Sequence, residues 1–470
     1  MISLTLSQLA DAVAGDLHLF GDDTPETVVA GPVDTDSRAI VSGGVFVAKP
    51  GEHTDGHHFV DAAVASGAAL AIVERTVDAA VSQIVVADAV ASLADLARFV
   101  VARVRERGGL RIVGITGSNG KTTTKNLLAR ILEDDGETVS PRASFNNEVG
   151  APLTMLRVTE DTKYLVSEFG ASGPGEIARL AGLVTPDIGV VLMVGMAHAG
   201  GFGGIEATFQ AKSELVRAVR AGGLAILNAD DPRVAAMAPI AAEKGIDVRW
   251  FGRGEAAEVR AVDVEVTATG TRAELVVDAD PLTLHLRVLG EHHVMNALAA
   301  LAAATALGID AATAVARLET VELAERWRMQ PLGSERVRII NDAYNASPDS
   351  MAAALRTLAQ ITGPQERTVA VLGAMSELGE YAEEEHDRVG LLAVRLGIQR
   401  IVVIGADARR MFLEAVAQGS WDSEAVFFAT ADEAYDYLVT ELRDGDRVLV
   451  KSSNSAGLRF LGDRLGEFFA

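Results

Sequence analysis

The sequence predicts an α/β protein of three domains: a small mixed α/β domain at the N-terminus, a central P-loop-type ATPase domain with a mainly parallel sheet, and a C-terminal Rossmann-like, doubly wound domain. The chain has 470 residues, enough for roughly three domains of ~150 residues. From residue 110 onward, apolar strand-like runs alternate with amphipathic helical segments, which is typical of parallel βα units. A glycine-rich segment near residue 117 joins one such strand to one such helix.

The predicted N-terminal domain covers residues 1–108, since it ends in the charged, glycine-terminated RVRERGG. In the predicted central domain, 109–330, we expect strands at 111–116, 164–169, 188–194 and 224–228. In the predicted C-terminal domain, 331–470, we expect strands at 336–341, 368–372, 400–404 and 447–451, each followed by a loop and a helix. This last region has no G-x-G-x-x-G, so its similarity to dinucleotide-binding folds implies no such cofactor.

The composition predicts a soluble, well-packed protein, with 49% hydrophobic and 23% charged residues. The absence of cysteine excludes disulfides, thiolate metal sites and cysteine nucleophiles. A net charge of −23 argues against nucleic acid as a partner. Because there is neither a basic signal-peptide start nor an apolar run of membrane-spanning length, we expect a cytoplasmic protein without a membrane span. We also expect a monomer.

The segment GITGSNGKTTTKNLL, residues 114–128, predicts a phosphate-binding loop that runs into a helix. The common pattern G-x-x-x-x-G-K-[ST] would require glycine at the position of Ile115. Backbone N–H groups at such a helix start can still bind phosphate. Lys121 would then reach the β and γ phosphates, and Thr122 would ligate Mg²⁺. The alternative is a glycine-rich turn with a solvated lysine, which the order strand, GKT and helix argues against.

Two side chains at the ends of apolar strands are candidate metal ligands. Glu168 ends LVSE, and the carboxyl end of a strand is where an open α/β sheet binds ligands. The alternative is an edge carboxylate that faces water, but the nearby phosphate loop favours the metal. His198 follows IGVVLMVGMA, and the alternative there is a packed or hydrogen-bonded histidine.

Lys212 lies on the apolar stripe of a predicted helix, three residues after Phe209 and four before Val216. A buried ammonium group is costly, so this lysine must be paired, have a lowered pKa or be modified. The alternative is a lysine at the edge of the stripe whose charged end reaches water.

Further polar residues lie where a nucleotide could bind. Asn296 falls where a helix is expected to begin, and Arg328 could bind a phosphate. Asp342, with Tyr344 and Asn345 in the same loop, could accept a ribose hydroxyl. The next helix should begin at Ser347-Pro348, with Ser347 as N-cap.

Two other groups are interpreted as non-functional. The histidines of GEHTDGHHF match no zinc-binding spacing, so we expect a solvated loop there. The run Glu383, Glu384, Glu385 and His386 is interpreted as an exposed helical face.

These motifs together resemble the Mur ligase family of ATP-dependent amide-bond formers, over essentially the whole chain. TGSNGKTTT is similar to the family's ATP loop. DSR at 36–38 and GEHTDGHHF at 51–59 resemble its domain for the uridine nucleotide. The member that adds D-alanyl-D-alanine is suggested by FNNEVGAPLTML, GASGPGEIARL, NDAYNASPDSM and VLGAMSELGE. The chain departs from the family at His293, where asparagine is common, and at Met193, Met196, Ala374 and Asn454.

The resemblance implies that ATP phosphorylates the terminal carboxylate of UDP-N-acetylmuramoyl-tripeptide and that the amine of D-alanyl-D-alanine captures the acyl phosphate. The implied catalytic residues are Lys121, Glu168, His198, Lys212 and Arg328. The implied Mg²⁺ ligands are Thr122, Glu168, His198 and a carbamylated Lys212. The implied ATP-binding residues are Gly117, Ser118, Asn119, Gly120, Lys121, Thr122, Thr123, Asn296, Arg328, Asp342, Tyr344 and Asn345. The implied contacts to the UDP substrate are Ser37, Arg38, Asn146 and Asn147.

Two alternatives remain open at the level of sequence. A sister ligase that adds a single amino acid, such as the one for the third residue or a folylpolyglutamate synthetase, shares the ATP site, although NDAYNASP and GPGEI argue against it. A nucleotide-binding module that only switches or binds partners would not need Glu168, His198 and Lys212 together.

Overall fold

The computed structural model describes residues 1–51, 54–142, 145–196, 203–267, 269–321, 326–419 and 424–470. Over these ranges the strands form sheets of two, five, nine and six strands, and the helices pack against them. The α/β prediction is therefore confirmed. Within these ranges, no helix combines the length and the apolar character that crossing a membrane requires.

The N-terminal region contains a small pair of strands and a five-stranded sheet in the order β2-β7-β6-β5-β4. Its long helix, Ala89–Glu106, begins where the Asp88 carboxylate accepts hydrogen bonds from the N–H groups of Val90 and Ala91. The strands are β1 Leu4–Thr5, β2 Asp16–His18, β3 Val28–Val29, β4 Val33–Asp34, β5 Gly44–Val47, β6 Ala68–Val73 and β7 Ser82–Val85. The other helices are Leu6–Ala12 and Val60–Ala65, with a 3₁₀ turn at Gly56–Phe59.

The central sheet has nine strands in the order β16-β15-β14-β13-β12-β11-β8-β10-β9. All neighbours from β9 to β14 are parallel, and β14, β15 and β16 pair antiparallel. The strands are β8 Arg111–Thr116, β9 Thr138–Val139, β10 Tyr164–Glu168, β11 Ile188–Val191, β12 Leu224–Asn228, β13 Asp247–Gly252, β14 Val259–Thr267, β15 Gly270–Val277 and β16 Asp280–Leu286. The helices are Lys121–Glu133, Gly150–Met155, Glu176–Ala181, Ile205–Ala218, Pro232–Ala235, Ala238–Glu243, Glu291–Ala306 and Ala311–Leu318.

The third sheet has six strands in the order β17-β18-β22-β19-β20-β21, all parallel except β17. The strands are β17 Gln330–Gly333, β18 Val337–Asn341, β19 Arg367–Leu372, β20 Arg400–Ile404, β21 Ala425–Phe428 and β22 Asp446–Lys451. The helices are Pro348–Ile361, Ala382–Arg395, Arg409–Ala417, Ala431–Glu441 and Leu458–Phe468. Short 3₁₀ turns lie at Gly379–Tyr381, Ala406–Ala408 and Asn454–Ala456.

The expected strands agree with these bounds to within a few residues, except that β11 ends at Val191 rather than at 194. The start of the helix Pro348–Ile361 is confirmed, because Ser347 Oγ accepts a hydrogen bond from the Ser350 N–H and proline follows the cap. The domain boundaries stay predictions, and Gln330, placed at the end of the central region, is the first residue of a strand in the third sheet.

Three expectations about local structure are wrong. The helix that carries Asn296 begins earlier, at Glu291, because Gly290 (φ +114°) provides the N-cap conformation. Glu385 and His386 are buried rather than exposed, and His386 Nε2 accepts a hydrogen bond from the Met375 N–H at 3.0 Å. His57 is buried rather than solvated, whereas His53 lies outside the described residues.

Candidate active site

A cleft of about 700 Å³ lies where the carboxyl ends of the central and third sheets face each other. Many of the lining residues end or follow parallel strands, which is where α/β sheets bind ligands, and others lie on the helices Glu291–Ala306 and Pro348–Ile361. The predicted site residues that line it are Ser118, Asn119, Gly120, Lys121, Thr122, Thr123, Asn146, Glu168, Asn296, Arg328, Asp342, Tyr344 and Asn345. Most of the predicted nucleotide site is therefore brought together in one place.

The phosphate loop follows β8 and leads into the helix Lys121–Glu133, as the sequence predicts. Gly120 caps this helix with φ +84°, a left-handed conformation that suits glycine. A Cβ atom at Gly120 would collide with Oδ1 of Asn296 on the helix Glu291–Ala306. The loop and Asn296 are therefore packed together, and glycine at 120 allows it.

Replacing Gly120 with alanine should raise the KM for ATP at least about 10-fold, because the side chain costs both backbone strain and displacement of Asn296. The measurement is steady-state ATP kinetics. Gly108→Ala is the matched control, since Gly108 has the same φ of +84° and no heavy atom within 4 Å of its added Cβ. Equal KM values for the two variants would contradict the role of the contact with Asn296.

Lys121 bends back over the loop, and its Nζ donates a hydrogen bond to the Gly117 carbonyl at 2.8 Å. Burial lowers the pKa of Lys121, and the charge of Glu168 opposes that shift while Arg328 adds to it. The ammonium group thus lies among the loop carbonyls, close enough to feel both a carboxylate and a guanidinium group. This is where the phosphates of a bound nucleotide would lie.

Glu168 ends β10 at the edge of the cleft and is 1% exposed. Its Oε1 accepts a hydrogen bond from Asn146 Nδ2 at 2.7 Å. Its Oε2 is buried without a hydrogen-bond partner. A buried carboxylate oxygen without a donor is costly unless a cation neutralises it, so Glu168 fits a metal ligand.

Lys212 is 2% exposed on the buried face of the helix Ile205–Ala218, which confirms its place on the apolar stripe. Burial, followed by the charge of Lys121, lowers the pKa of Lys212 to about 7, and Glu214 and Glu176 act in the opposite direction. This lysine therefore loses its proton more readily than an exposed lysine does. Lys212 does not itself line the cleft, but the positive charge of Lys121 in the phosphate loop acts on it.

Among the described residues, no three histidine, aspartate or glutamate side chains gather around a common point. The predicted ligand His198 lies outside the described residues. The structure thus provides Glu168 and Thr122 in the cleft, and the other two predicted metal ligands remain predictions.

A cation–π contact and an ion pair lie on the third-domain side of the cleft. The Arg328 guanidinium lies over the Tyr344 ring, 4.2 Å from its centroid. Asp342 Oδ2 accepts a hydrogen bond from Lys451 Nζ at 2.6 Å, and the same ammonium donates to the Asn345 carbonyl at 3.0 Å. Lys451 ends β22 and is almost fully buried, so it fixes the loop in which the predicted ribose-binding Asp342 lies.

Sequence reasoning assigned no role to several residues that line the cleft. Lys451 ends a predicted strand, and that position could have indicated it. His293 is buried with neither ring nitrogen hydrogen-bonded, and burial holds its pKa well below the usual value. Asp349 accepts a hydrogen bond from the backbone of Met196, which links the third domain to the central one. No local sequence signal marks the last two, because their burial depends on how the domains pack.

The residues predicted to bind the UDP substrate are not all in the cleft. Asn146 lines it, whereas Asn147 is exposed and accepts a hydrogen bond from the Gly150 N–H at 2.9 Å. Ser37 is buried, and Arg38 is exposed and paired with Asp36 at 2.7 Å. The contact of Arg38 with Asp36 lies in the loop after β4. The role of the four residues in binding the UDP substrate stays a prediction.

Comparison with known proteins gives a consistent result along the chain. Three family models match: "Mur ligase family, catalytic domain" at residues 32–106, "Mur ligase middle domain" at 115–304 and "Mur ligase, glutamate ligase domain" at 327–454. The chain is 43% identical to the UDP-N-acetylmuramoyl-tripeptide–D-alanyl-D-alanine ligase of Mycobacterium tuberculosis, covering 99% of this chain and 98% of the relative.

Solved structures of similar proteins agree over the full length. The structure is similar to MurF from Acinetobacter baumannii, with a TM-score of 0.89, 33% identity and 99% of each chain covered. It is also similar to the MurF ligase of Thermotoga maritima in complex with ADP, with a TM-score of 0.80, 27% identity, and 93% of this chain and 98% of that one covered.

Proposed function

The chain belongs to the Mur ligase family, and from that premise we propose that it is an ATP-dependent ligase that joins D-alanyl-D-alanine to UDP-N-acetylmuramoyl-tripeptide in peptidoglycan precursor synthesis. The observation that carries this function is 43% identity, over nearly the whole length of both chains, to a ligase of that name. The cleft adds a physical reason, because it combines a phosphate loop with basic side chains from two domains.

The reaction has to overcome two obstacles, both of which concern the carboxylate. A carboxylate is a poor acyl donor, and it must also approach the negatively charged triphosphate. ATP transfers its γ-phosphoryl group to a carboxylate oxygen, which gives an acyl phosphate and ADP. The amine of the dipeptide then attacks the acyl carbon, the bond to phosphate breaks, and the amine loses a proton as the amide forms.

Lys121 and Arg328 provide positive charge on opposite sides of the phosphates in this proposal, which reduces the repulsion between the two anions. Asn296 and the loop N–H groups hold the nucleotide, and Asp342 accepts a ribose hydroxyl. Packing of the third domain over the cleft keeps water from the acyl phosphate. Although the net charge of the chain is −23, positive charge is available where anionic substrates would bind, because the cleft is lined by the basic side chains of Lys121, Arg233, Arg328 and Lys451.

We propose that Mg²⁺ binds here, because Glu168 Oε2 has no hydrogen-bond partner and Glu168 and Thr122 line the same cleft. These two side chains would hold the ion, with His198 and a carbamylated Lys212 as further ligands. When bound, Mg²⁺ would supply positive charge at the phosphate oxygens.

The burial of Lys212 and its lowered pKa support the proposed carbamylation. The neutral amine adds to CO₂, a proton leaves, and the buried cation becomes a carbamate anion of the kind that ligates metals. This change would also remove the cost of burying an ammonium group beside Lys121.

We expect ¹³C-labelled bicarbonate to give a carbamate signal in NMR spectra at pH 8, and the signal to weaken as the pH falls below about 7. The sign follows because protonated lysine cannot add to CO₂. Lys212→Ala should lose the signal. Lys125→Ala should keep it, because Lys125 is equally buried but donates to the Pro141 carbonyl at 2.8 Å. A signal that persists in Lys212→Ala would contradict the assignment.

Ser37 and Arg38 are proposed to contact the uridine nucleotide, and Asn146 and Asn147 the acyl substrate near ATP. We propose a monomer that acts in the cytoplasm, where its nucleotide substrates are made.

A phosphate-release assay tests the function. Release should require ATP, Mg²⁺, the UDP-linked tripeptide and D-alanyl-D-alanine together, and the product should gain the mass of the dipeptide. Release with a single amino acid in place of the dipeptide would instead support a sister ligase. No release with any acceptor would support a nucleotide-binding module.

A further inference from the structure

The segment that joins the central and third domains contains a strained turn around Arg328. Trp327 has φ +65° and Met329 has φ +48°, and neither is glycine. Left-handed conformations are unfavourable for such residues and persist only where surrounding contacts impose them. Two left-handed residues, one on each side of a single arginine, therefore need an explanation.

Contacts within the third domain hold Trp327 in place. Its N–H donates to Gln330 Oε1 at 2.9 Å, and its carbonyl accepts from the Tyr344 N–H at 3.0 Å. Its indole Nε1 donates to Asp463 at 3.0 Å, on the last helix of the chain. The backbone and the side chain of Trp327 are thus both fixed to the third domain.

Met329 is fixed to the same domain by a different pair of contacts. Its N–H donates to Asp342 Oδ1 at 3.0 Å, and its side chain is 5% exposed in the core of that domain. Asp342 is itself held by Lys451, which ends the neighbouring strand β22. The turn is therefore attached on both sides of Arg328 to one rigid unit.

Arg328 points from this turn into the cleft. Its guanidinium lies over Tyr344, a residue of the third domain, and its charge lowers the pKa of both Lys121 and His293, which belong to the central domain. The two domains touch beside it, where Ser347 Oγ donates to Asn119 Oδ1 of the phosphate loop at 3.0 Å. Arg328 thus acts on the central domain although it is mounted on the third.

We propose that the Trp327–Met329 turn is a positioning device that fixes Arg328 to the third domain and directs it at the bound phosphates, so that this positive charge reaches the nucleotide only while the two domains are packed together. The inference rests on the proposed ATP-dependent ligation. The strained backbone is retained for the placement of Arg328 and not for stability.

Two substitutions at Met329 separate strain from loss of volume. Alanine removes the buried side chain and keeps the left-handed penalty, whereas glycine removes both. Met329→Gly should therefore have a higher Tm than Met329→Ala. It should nevertheless have a kcat/KM for ATP about 10-fold lower, because the freed backbone no longer holds Arg328 in place. The KM for the UDP-linked tripeptide should be equal in the two variants.

The Arg328→Ala background tests whether the turn acts through Arg328. There the glycine and alanine variants at 329 should keep their difference in Tm and show equal kcat/KM for ATP. Ala279→Gly is the control for strain relief elsewhere, because Ala279 has φ +81° in an exposed hairpin turn. It should raise Tm and leave activity unchanged.

A kcat/KM for ATP that is higher in Met329→Gly than in Met329→Ala would overturn the inference. A difference in kcat/KM between the two variants that persists in the Arg328→Ala background would also overturn it. Either result, obtained with a wild-type enzyme that ligates, leaves the proposed function standing. A wild-type protein that ligates no acceptor would refute the proposed function instead.

Discussion

Glu168→Gln is expected to lower kcat on the order of 10³-fold while leaving the fold intact. The substitution keeps the size of the side chain and an oxygen that can accept the hydrogen bond from Asn146. It removes the negative charge from the oxygen that has no partner in the protein. If that oxygen binds Mg²⁺, the variant should also require a higher Mg²⁺ concentration for half-maximal activity.

The stability of this variant provides a second readout. A buried carboxylate oxygen without a donor, such as Glu168 Oε2, destabilises the protein in the absence of a cation, so Glu168→Gln should have an unchanged or higher Tm in EDTA. Glu385→Gln is the matched control, since Glu385 is a buried glutamate of the third domain that is paired with Arg388 at 2.7 Å. That control should retain ligation. Near-normal activity of Glu168→Gln at limiting Mg²⁺ would refute the metal assignment.

Lys121→Met is expected to lower kcat/KM for ATP on the order of 10³-fold, because it removes the ammonium group that the helix start holds against the loop. Methionine keeps most of the apolar volume of lysine. Because burial lowers the pKa of Lys121, its charge is a cost to the folded state, and the variant should be at least as stable as the wild type. Calorimetric titration with ADP would measure the loss of binding directly.

Lys125→Met is the control for this second result. Lys125 lies one turn later on the same helix, is 2% exposed, and donates to the Pro141 carbonyl rather than to the phosphate loop. Its loss should reduce stability and leave the KM for ATP within a few-fold of the wild-type value. Equal effects of the two substitutions on ADP binding would mean that Lys121 acts only through packing.

The phosphate loop and the strand and helix beside it could be predicted from sequence because their signals are local. The order of apolar strand, glycine cap and helix fixes the start of the helix at Lys121 without reference to the rest of the chain. The same is true of the cap at Ser347, where a hydroxyl and a proline define the first turn. Most predicted nucleotide-site residues line one cleft for a related reason, since the carboxyl ends of parallel strands meet at one edge.

The features that sequence analysis missed depend on packing between distant segments. In the antiparallel strand β15, buried residues alternate with partly buried ones, but the parallel βα pattern predicted from sequence extends over β14 to β16. Glu385 is buried although the run of acidic residues indicates a solvated face, because its helix packs against the helices Pro348–Ile361 and Arg409–Ala417. His293 is isolated from hydrogen-bond partners by the joining of two domains, which no local pattern encodes.

The hydroxyl of Ser347 serves two neighbours at once: it accepts from the Ser350 N–H and donates to Asn119. The first turn of the helix Pro348–Ile361 is therefore hydrogen-bonded to the predicted phosphate loop. If bound phosphates draw the side-chain amide of Asn119 away from Ser347, we expect that helix end to readjust. The rate of deuterium uptake at the Ser350 amide would then differ between the protein with and without nucleotide at the phosphate loop.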